Sequence, residues 1–197
     1  RSALDNKEVP ASLTIVGGGV IGMEFASFFT SLGVQVTVVE MLDEILGGMD
    51  KELSAMLRAE YAKKGIKFLL STKVVGVSKE ETGITVSYEN ADGTGTVTAD
   101  KLLMSVGRRP VTKGFGLENL NLEWTERRCI KVDEHLQSSV PGVYVCGDLN
   151  GVSLLAHTAV REAEVAVHHI TGKEDAMSYR AIPGVVYTNP EIAGVGM

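Results

Sequence analysis

The sequence predicts an α/β protein: a parallel sheet with crossover helices, interrupted by an antiparallel insertion. Three observations carry this. Two apolar runs, Leu13–Val16 and Val34–Val39, flank a helix-period segment, and parallel strands need such a crossover between them. A glycine-rich turn, Gly17-Gly18-Gly19-Val20-Ile21-Gly22, joins the first run to that segment. Between Lys73 and Ala99 the period drops to two: Ile84, Val86 and Tyr88 alternate with Thr85, Ser87 and Glu89, as in an antiparallel sheet with one wet face.

The elements follow in order. Ile21, Phe25, Phe28 and Leu32 recur at spacings of four, three and four, which gathers an apolar face on the first helix; Gly33 ends it. The second helix has Asp50 as its cap, Glu52 in its first turn, an apolar stripe of Leu53, Met56, Leu57 and Tyr61, then Lys63, Lys64 and a terminating Gly65. That charge order suits the helix dipole. Ile66–Leu70 is the next strand. Lys73–Lys79, Gly83–Glu89 and Gly95–Ala99 form the insertion, with Asn90-Ala91-Asp92-Gly93 as a turn, and Lys101–Val106 returns to the sheet. A loop-rich stretch, Thr112–Gln137, leads to an expected buried strand, Val143–Cys146, ending at Gly147-Asp148. Leu155–Thr171 is a helix closed by Gly172. After a polar linker, Lys173–Arg180, a strand opens at Ile182–Tyr187. The last strand-like run, Ile192–Gly196, has no obvious partner, and we expect the chain to be a piece of a longer protein.

The 197 residues carry a net charge of −6, with 44% hydrophobic and 22% charged residues. This is the composition of an ordinary globular protein. It lacks the basic patch that nucleic acid or an anionic membrane requires. The longest uncharged run, Phe25–Val39, is broken by Ser27, Thr30, Ser31, Gln35 and Thr37, so no membrane span is expected. The first residues are polar, unlike a signal peptide. Two cysteines, Cys129 and Cys146, make no disulfide framework, and a cytoplasmic setting is expected.

The strand, Gly17-x-Gly19-x-x-Gly22 and helix match the dinucleotide-binding fingerprint in its required context. Gly17 permits the tight turn, Gly19 lets backbone approach a pyrophosphate, and Gly22 allows close helix–strand packing. The helix start offers free N–H groups to phosphate. Glu40, at the end of the second strand, is placed to bind the hydroxyls of an adenosine ribose. A 2′-phosphate there would meet a like charge, at a cost of roughly 1–4 kcal/mol, or about one to three decades of affinity. Met41 and Leu42 follow Glu40 and supply no compensating cation. NAD is expected over NADP, on a Rossmann-like NAD(P)-binding domain.

The glycine motif with Met23-Glu24, then Val39-Glu40, Gly107-Arg108-Arg109-Pro110, Gly147-Asp148, Leu154-Leu155-Ala156-His157 and Tyr187-Thr188-Asn189-Pro190-Glu191 together resemble the flavin-dependent pyridine nucleotide–disulfide oxidoreductases. The resemblance runs from about Val9 to Met197. It implies that Gly17, Gly18, Gly19, Val20, Ile21, Gly22, Met23 and Glu24 wrap the pyrophosphate and nicotinamide end of NAD. Glu24 would face the nicotinamide and flavin; from the residues alone it is equally an exposed acid of the first helical turn. Val74 would lie along the adenine, or is a core residue, and Gly107 would meet the nicotinamide side. Asp148 would hold the ribityl chain of FAD, or is a plain turn residue. Leu154, Leu155, Ala156 and His157 would pass the flavin ring at a helix N-terminus, where the dipole stabilises a reduced flavin; from the residues alone His157 is equally a surface histidine at a helix start.

The resemblance also implies an architecture: residues 9–112 as NAD domain, 113–180 as the returning segment of an FAD domain, and 181–197 as the start of a dimerisation domain. Within the family, the branch that reoxidises dihydrolipoyl groups fits best. Electrons would pass from dithiol to enzyme disulfide, to FAD, to NAD. The implied partners are lipoyl domains of 2-oxoacid dehydrogenase complexes and a second copy of the parent chain. Two redox cysteines four residues apart belong to that chemistry, whereas Cys129 and Cys146 are far apart in sequence. Cys146 is expected to be an inert thiol in a buried strand. His168 and His169, adjacent on one helix, chelate poorly. No catalytic residue and no metal site is assigned, and the 197-residue chain alone is expected to be inactive. A sister flavin disulfide reductase or transhydrogenase, a non-catalytic NAD-binding module and a purely structural α/β domain remain alternatives.

Overall fold

A computed structural model describes residues 3–81 and 83–196. Thr82, before the second insertion strand, and Met197, where the expected third segment ends, lie outside them. The chain forms two compact units. One runs up to Gly107 and takes in Gly184–Gly194; the other comprises Arg108–Pro183 with the residues from Val195.

The first unit is built on β1 (Ser12–Val16), α1 (Val20–Ser31), β2 (Gln35–Val39), α2 (Lys51–Lys63), β3 (Lys67–Leu69), β4 (Lys73–Glu80), β5 (Gly83–Asn90), β6 (Gly93–Ala99) and β7 (Lys101–Met104). A four-stranded sheet has the order β3-β2-β1-β7. All its pairings are parallel, with Val16 opposite Val39 on one side and Met104 on the other. The β1 and β2 side chains Ile15 and Val38 are fully buried, as expected for strands covered on both faces. β4-β5-β6 is the predicted antiparallel insertion, its turn fixed by Asp92 N–H donating to Asn90 Oδ1.

The inward face of α1 differs from the expectation. Gly22, Met23, Ala26 and Phe29 are buried, while Ile21, Phe28 and Leu32 are exposed and Phe25 only borders the core. Two apolar stripes lie side by side on this helix, and close approach to the sheet selects the one that begins with glycine and contains alanine. α2 behaves similarly. Asp50 caps it, accepting from Glu52 N and Leu53 N. The buried stripe is Ser54, Leu57 and Tyr61, and Leu53 and Met56 face outward.

The final strand-like run does have a partner. β8 (Pro183–Val186) and β9 (Ile192–Val195) form a two-stranded sheet, and Val186 and Ile192 enter the core of the first unit. Its connecting loop is tied down by Tyr61, whose hydroxyl donates to Ser27 Oγ (2.6 Å) and accepts from Asn189 N (2.9 Å).

The second unit is mostly irregular around α3 (Ala156–Ile170). Leu122, Ile130 and Val145 make one small core; Leu136, Val165 and Ala166 make another. Val143–Cys146 is not the strand the sequence predicted. Its ladder stops at the single bridge Gln137–Tyr144, because the opposing chain turns back at Val140 and offers no longer partner. Cys146 is accordingly half-buried, and Cys129 is the buried thiol.

Candidate nucleotide-binding site

The turn from β1 into α1 is held by contacts that dictate its glycines. Gly17 has φ +103°, and a Cβ there would sit 2.5 Å from the Ser105 carbonyl oxygen. A Cβ on Gly22 would strike the Gly17 carbonyl and lie 2.9 Å from Ser105 Oγ. The Ser105 hydroxyl reaches Val16 O (3.0 Å) and Gly17 O (2.9 Å), while its N–H donates to Val16 O. Gly19 is different. It has ordinary backbone angles, φ −70° and ψ −176°, and no atom within 4 Å of its notional Cβ. It is also the N-cap of α1 and makes no side-chain cap. Open space thus lies in front of an uncapped helix N-terminus, where backbone N–H groups and the dipole favour an anion.

Glu40 folds back onto this loop. Its Oε2 accepts from Gly18 N at 2.6 Å and its Oε1 from Leu42 N at 2.8 Å. Each carboxylate oxygen keeps capacity for a further donor. Leu46 N donates to Gly18 O, closing the loop from the other side. Met41 and Leu42 are exposed. Thr72 N donates to the Glu40 backbone carbonyl, which ties the segment leading into β4 to the end of β2. Val74 follows it, half-buried, paired with Tyr88 just before a bulge. Gly107, exposed with φ +106°, lies two residues past Ser105.

Met23 and Glu24 have other roles in this structure. The Met23 side chain is fully buried in the core and its N–H is taken by Gly19 O, so it supports the loop from behind and presents nothing to a ligand. Glu24 is the fifth residue of α1, outside the first turn, and Oε1 accepts from Tyr187 N at 3.0 Å. Val20 and Ile21 are exposed at the helix start. A cavity of about 340 Å³ flanks the outer stripe of α1, with Leu4, Val9, Glu24, Phe25, Phe28 and Leu32 on its wall.

In the second unit, Asp148 is exposed within a 3-10 turn, Gly147–Leu149. It borders a cavity of about 430 Å³ together with Arg108, Arg109, Arg127, Arg128 and Leu154. Leu155 is the N-cap of α3 without a side-chain cap, Ala156 is its first residue, and both are exposed with Leu154. His157 is exposed, with Nε2 2.9 Å from Pro183 O. Burial, reinforced by Glu162, pushes the Cys146 thiol up, which disfavours thiolate chemistry. His168 Nδ1 lies 2.7 Å from Asp175 Oδ2 and His169 Nδ1 2.8 Å from Tyr144 Oη. Among the described residues no three His, Cys, Asp or Glu side chains are arranged to hold a metal ion.

Three features escaped the sequence reading. Ser105 carried a signal, a hydroxyl just past the return strand beside Gly17. Glu162 carried a weaker one, a lone acid within the inward stripe of α3. The arginine-lined cavity carried none, because its residues come from separate loops.

The family profile described as pyridine nucleotide-disulphide oxidoreductase matches residues 1–163. The chain belongs to this family. Among relatives, it is similar to a dihydrolipoyl dehydrogenase of Geobacillus stearothermophilus, 40% identical over 98% of this chain and 41% of that one. It is also similar to dihydrolipoyl dehydrogenase 3 of Pseudomonas putida, at 43% over 98% of this chain and 42% of that one. Among solved structures, LpdA of Mycobacterium tuberculosis superposes with TM-score 0.92 at 32% identity, over all of this chain and 42% of that one. The flavoprotein disulfide reductase RclA of Escherichia coli, as its Cu(II) complex, gives 0.90 at 28%, over all of this chain and 44% of that one. The chain therefore spans about two-fifths of the length of the relatives it matches. As a member of the pyridine nucleotide-disulphide oxidoreductases it has the α/β FAD/NAD(P)-binding fold of its neighbours. No described helix is long and apolar enough to cross a membrane.

Proposed function

We propose that this chain is the NAD-binding part of a dihydrolipoyl dehydrogenase, with residues 9–112 as the NAD domain, 113–180 as a returning FAD-domain segment and 181–197 as the start of a dimerisation domain. The observation that carries the reading is the β1–α1 turn, with open space at Gly19 and the Glu40 carboxylate beside it. The fit is good for a dinucleotide. The N-terminus of α1 would hold the pyrophosphate through backbone N–H groups. Glu40 would accept from the ribose hydroxyls and exclude a 2′-phosphate, so NAD is the cofactor. Val74 would flank the adenine and Gly107 the nicotinamide side. When bound, NAD supplies a hydride acceptor; the residues here bind and orient it.

FAD is the second cofactor of this reading. Asp148 would bind ribityl hydroxyls, and the four guanidinium groups of its cavity suit an anionic ligand. Leu154 to His157 would line the flavin at the N-terminus of α3. Lipoyl domains of 2-oxoacid dehydrogenase complexes are the proposed partners, with a homodimeric parent. A cytoplasmic location is proposed, although relatives in Caenorhabditis elegans and Homo sapiens are named mitochondrial. The test is dihydrolipoamide-dependent NAD reduction by the full-length protein. Turnover with dihydrolipoamide supports the reading. Turnover with another disulfide or thiol substrate alone favours a sister reductase, a reading to which the RclA likeness lends support.

A further inference from the structure

Glu162 is fully buried, on the α3 stripe that also carries Thr158, Val165 and Ala166. An aliphatic side chain would pack such a site, and burying a carboxylate is costly unless it is well bonded. Its two oxygens have separate partners. Oε2 accepts from Gly147 N at 2.5 Å and Oε1 from the Tyr179 hydroxyl at 2.8 Å. Gly147 has φ +74°, in the left-handed region, and a Cβ there would lie 3.3 Å from Ala159 Cβ. The turn is therefore pressed against one side of α3 and pinned by the Glu162 side chain one turn further along. The pinned N–H belongs to the residue immediately before Asp148, the acid that borders the arginine-lined cavity.

We propose that Glu162 is the positioning residue of the Gly147–Asp148 turn, holding the backbone so that the Asp148 carboxylate meets the ribityl hydroxyls of FAD. This rests on the FAD reading of Asp148. A buried N–H deprived of its acceptor there has no solvent to turn to, so the turn would shift and carry Asp148 with it. Tyr179 completes the arrangement. Burial and its bond to Glu162 push its phenol well above the ordinary range, so it remains a donor to the carboxylate.

The test uses the full-length apoprotein reconstituted with FAD, with flavin affinity read by fluorescence titration and folding by thermal melts. Glu162→Leu and Asp148→Ala should each weaken FAD by about tenfold or more, and Tyr179→Phe by about threefold. The isosteric Glu162→Gln, whose amide oxygen still accepts from Gly147 N, should retain most of the affinity. The Glu162→Leu/Asp148→Ala double variant should be no weaker than the worse single to within about threefold, because both changes remove one contact. NADH affinity, read on the other unit, should stay unchanged. Wild-type FAD affinity in a folded Glu162→Leu, with Asp148→Ala impaired, overturns the positioning role and leaves the FAD reading standing. So do additive losses in the double variant, which would make Glu162 an independent structural residue. If Glu162→Leu does not fold, wild-type FAD affinity in Tyr179→Phe overturns it. Unimpaired binding by Asp148→Ala overturns the FAD reading of Asp148 and the inference with it.

Discussion

Replacing Gly19 with valine separates a ligand-facing glycine from a structural one. The fold has no need of glycine at this position. Its φ of −70° and ψ of −176° suit any L-residue, and no atom lies within 4 Å of the new Cβ. Loss of unfolded-state freedom favours the variant by about 0.4–1 kcal/mol, and the poorer N-cap residue offsets a similar amount. Stability should therefore change by no more than about 1 kcal/mol. Gly22→Val is the control. Its Cβ would strike the Gly17 carbonyl and crowd Ser105 Oγ, and overpacking of this kind costs about 1–3 kcal/mol or more. For NAD the order reverses in Gly19→Val. A side chain in the open space displaces the pyrophosphate from two or three N–H groups, each worth about 1.5–3 kcal/mol to a charged acceptor. The dissociation constant should rise by about two to six decades. Thermal melts and calorimetric titration of both variants provide the assay. A folded Gly19→Val protein with wild-type NAD affinity would refute the pyrophosphate site, and a strongly destabilised one would refute the structural reasoning.

Ser105→Ala should cost about 1 kcal/mol of stability, since one hydroxyl serves both Val16 O and Gly17 O, and NAD should bind up to about tenfold more weakly in titration; an unchanged melt would show that the hydroxyl does not hold the loop. Asp175 gives a pH signature. Bonds from Arg161 and then His168 hold its carboxyl well below the usual range. A depressed folded-state value adds stability above the unfolded value, near pH 4, that is lost as pH falls through the folded value. The melting-temperature gap between wild type and Asp175→Asn should be full at pH 5 and shrink steadily toward pH 2, and a gap that widens on acidification contradicts the assignment.

Much of the first unit was legible because its signals are local. The glycine spacing, the Asp50 cap and the period change after Lys73 each depend on neighbouring residues, and each element formed. What failed was the choice of face. Ile21, Phe28 and Leu32 make as good an apolar stripe as Gly22, Ala26 and Phe29, and only contact with the Gly17 carbonyl and Ser105 decides which turns inward. The second unit was less legible. Val143–Cys146 has the composition of a strand, but strand formation needs a partner, and the hairpin at Val140 leaves it one bridge long. Glu40 and the loop glycines were readable as site residues; Ser105 and Glu162 act through hydrogen bonds to residues 88 and 15 positions away in sequence, which no local pattern encodes.

The most direct measurement is a calorimetric titration of the protein with NADH and with NADPH, repeated on Glu40→Ala. NADH should bind more tightly by about one to three decades, because the Glu40 carboxylate beside the loop repels a 2′-phosphate. Glu40→Ala should weaken NADH by roughly 1–3 kcal/mol and narrow the gap. NADPH binding as tightly as NADH to the wild type, or binding of neither, would contradict the account.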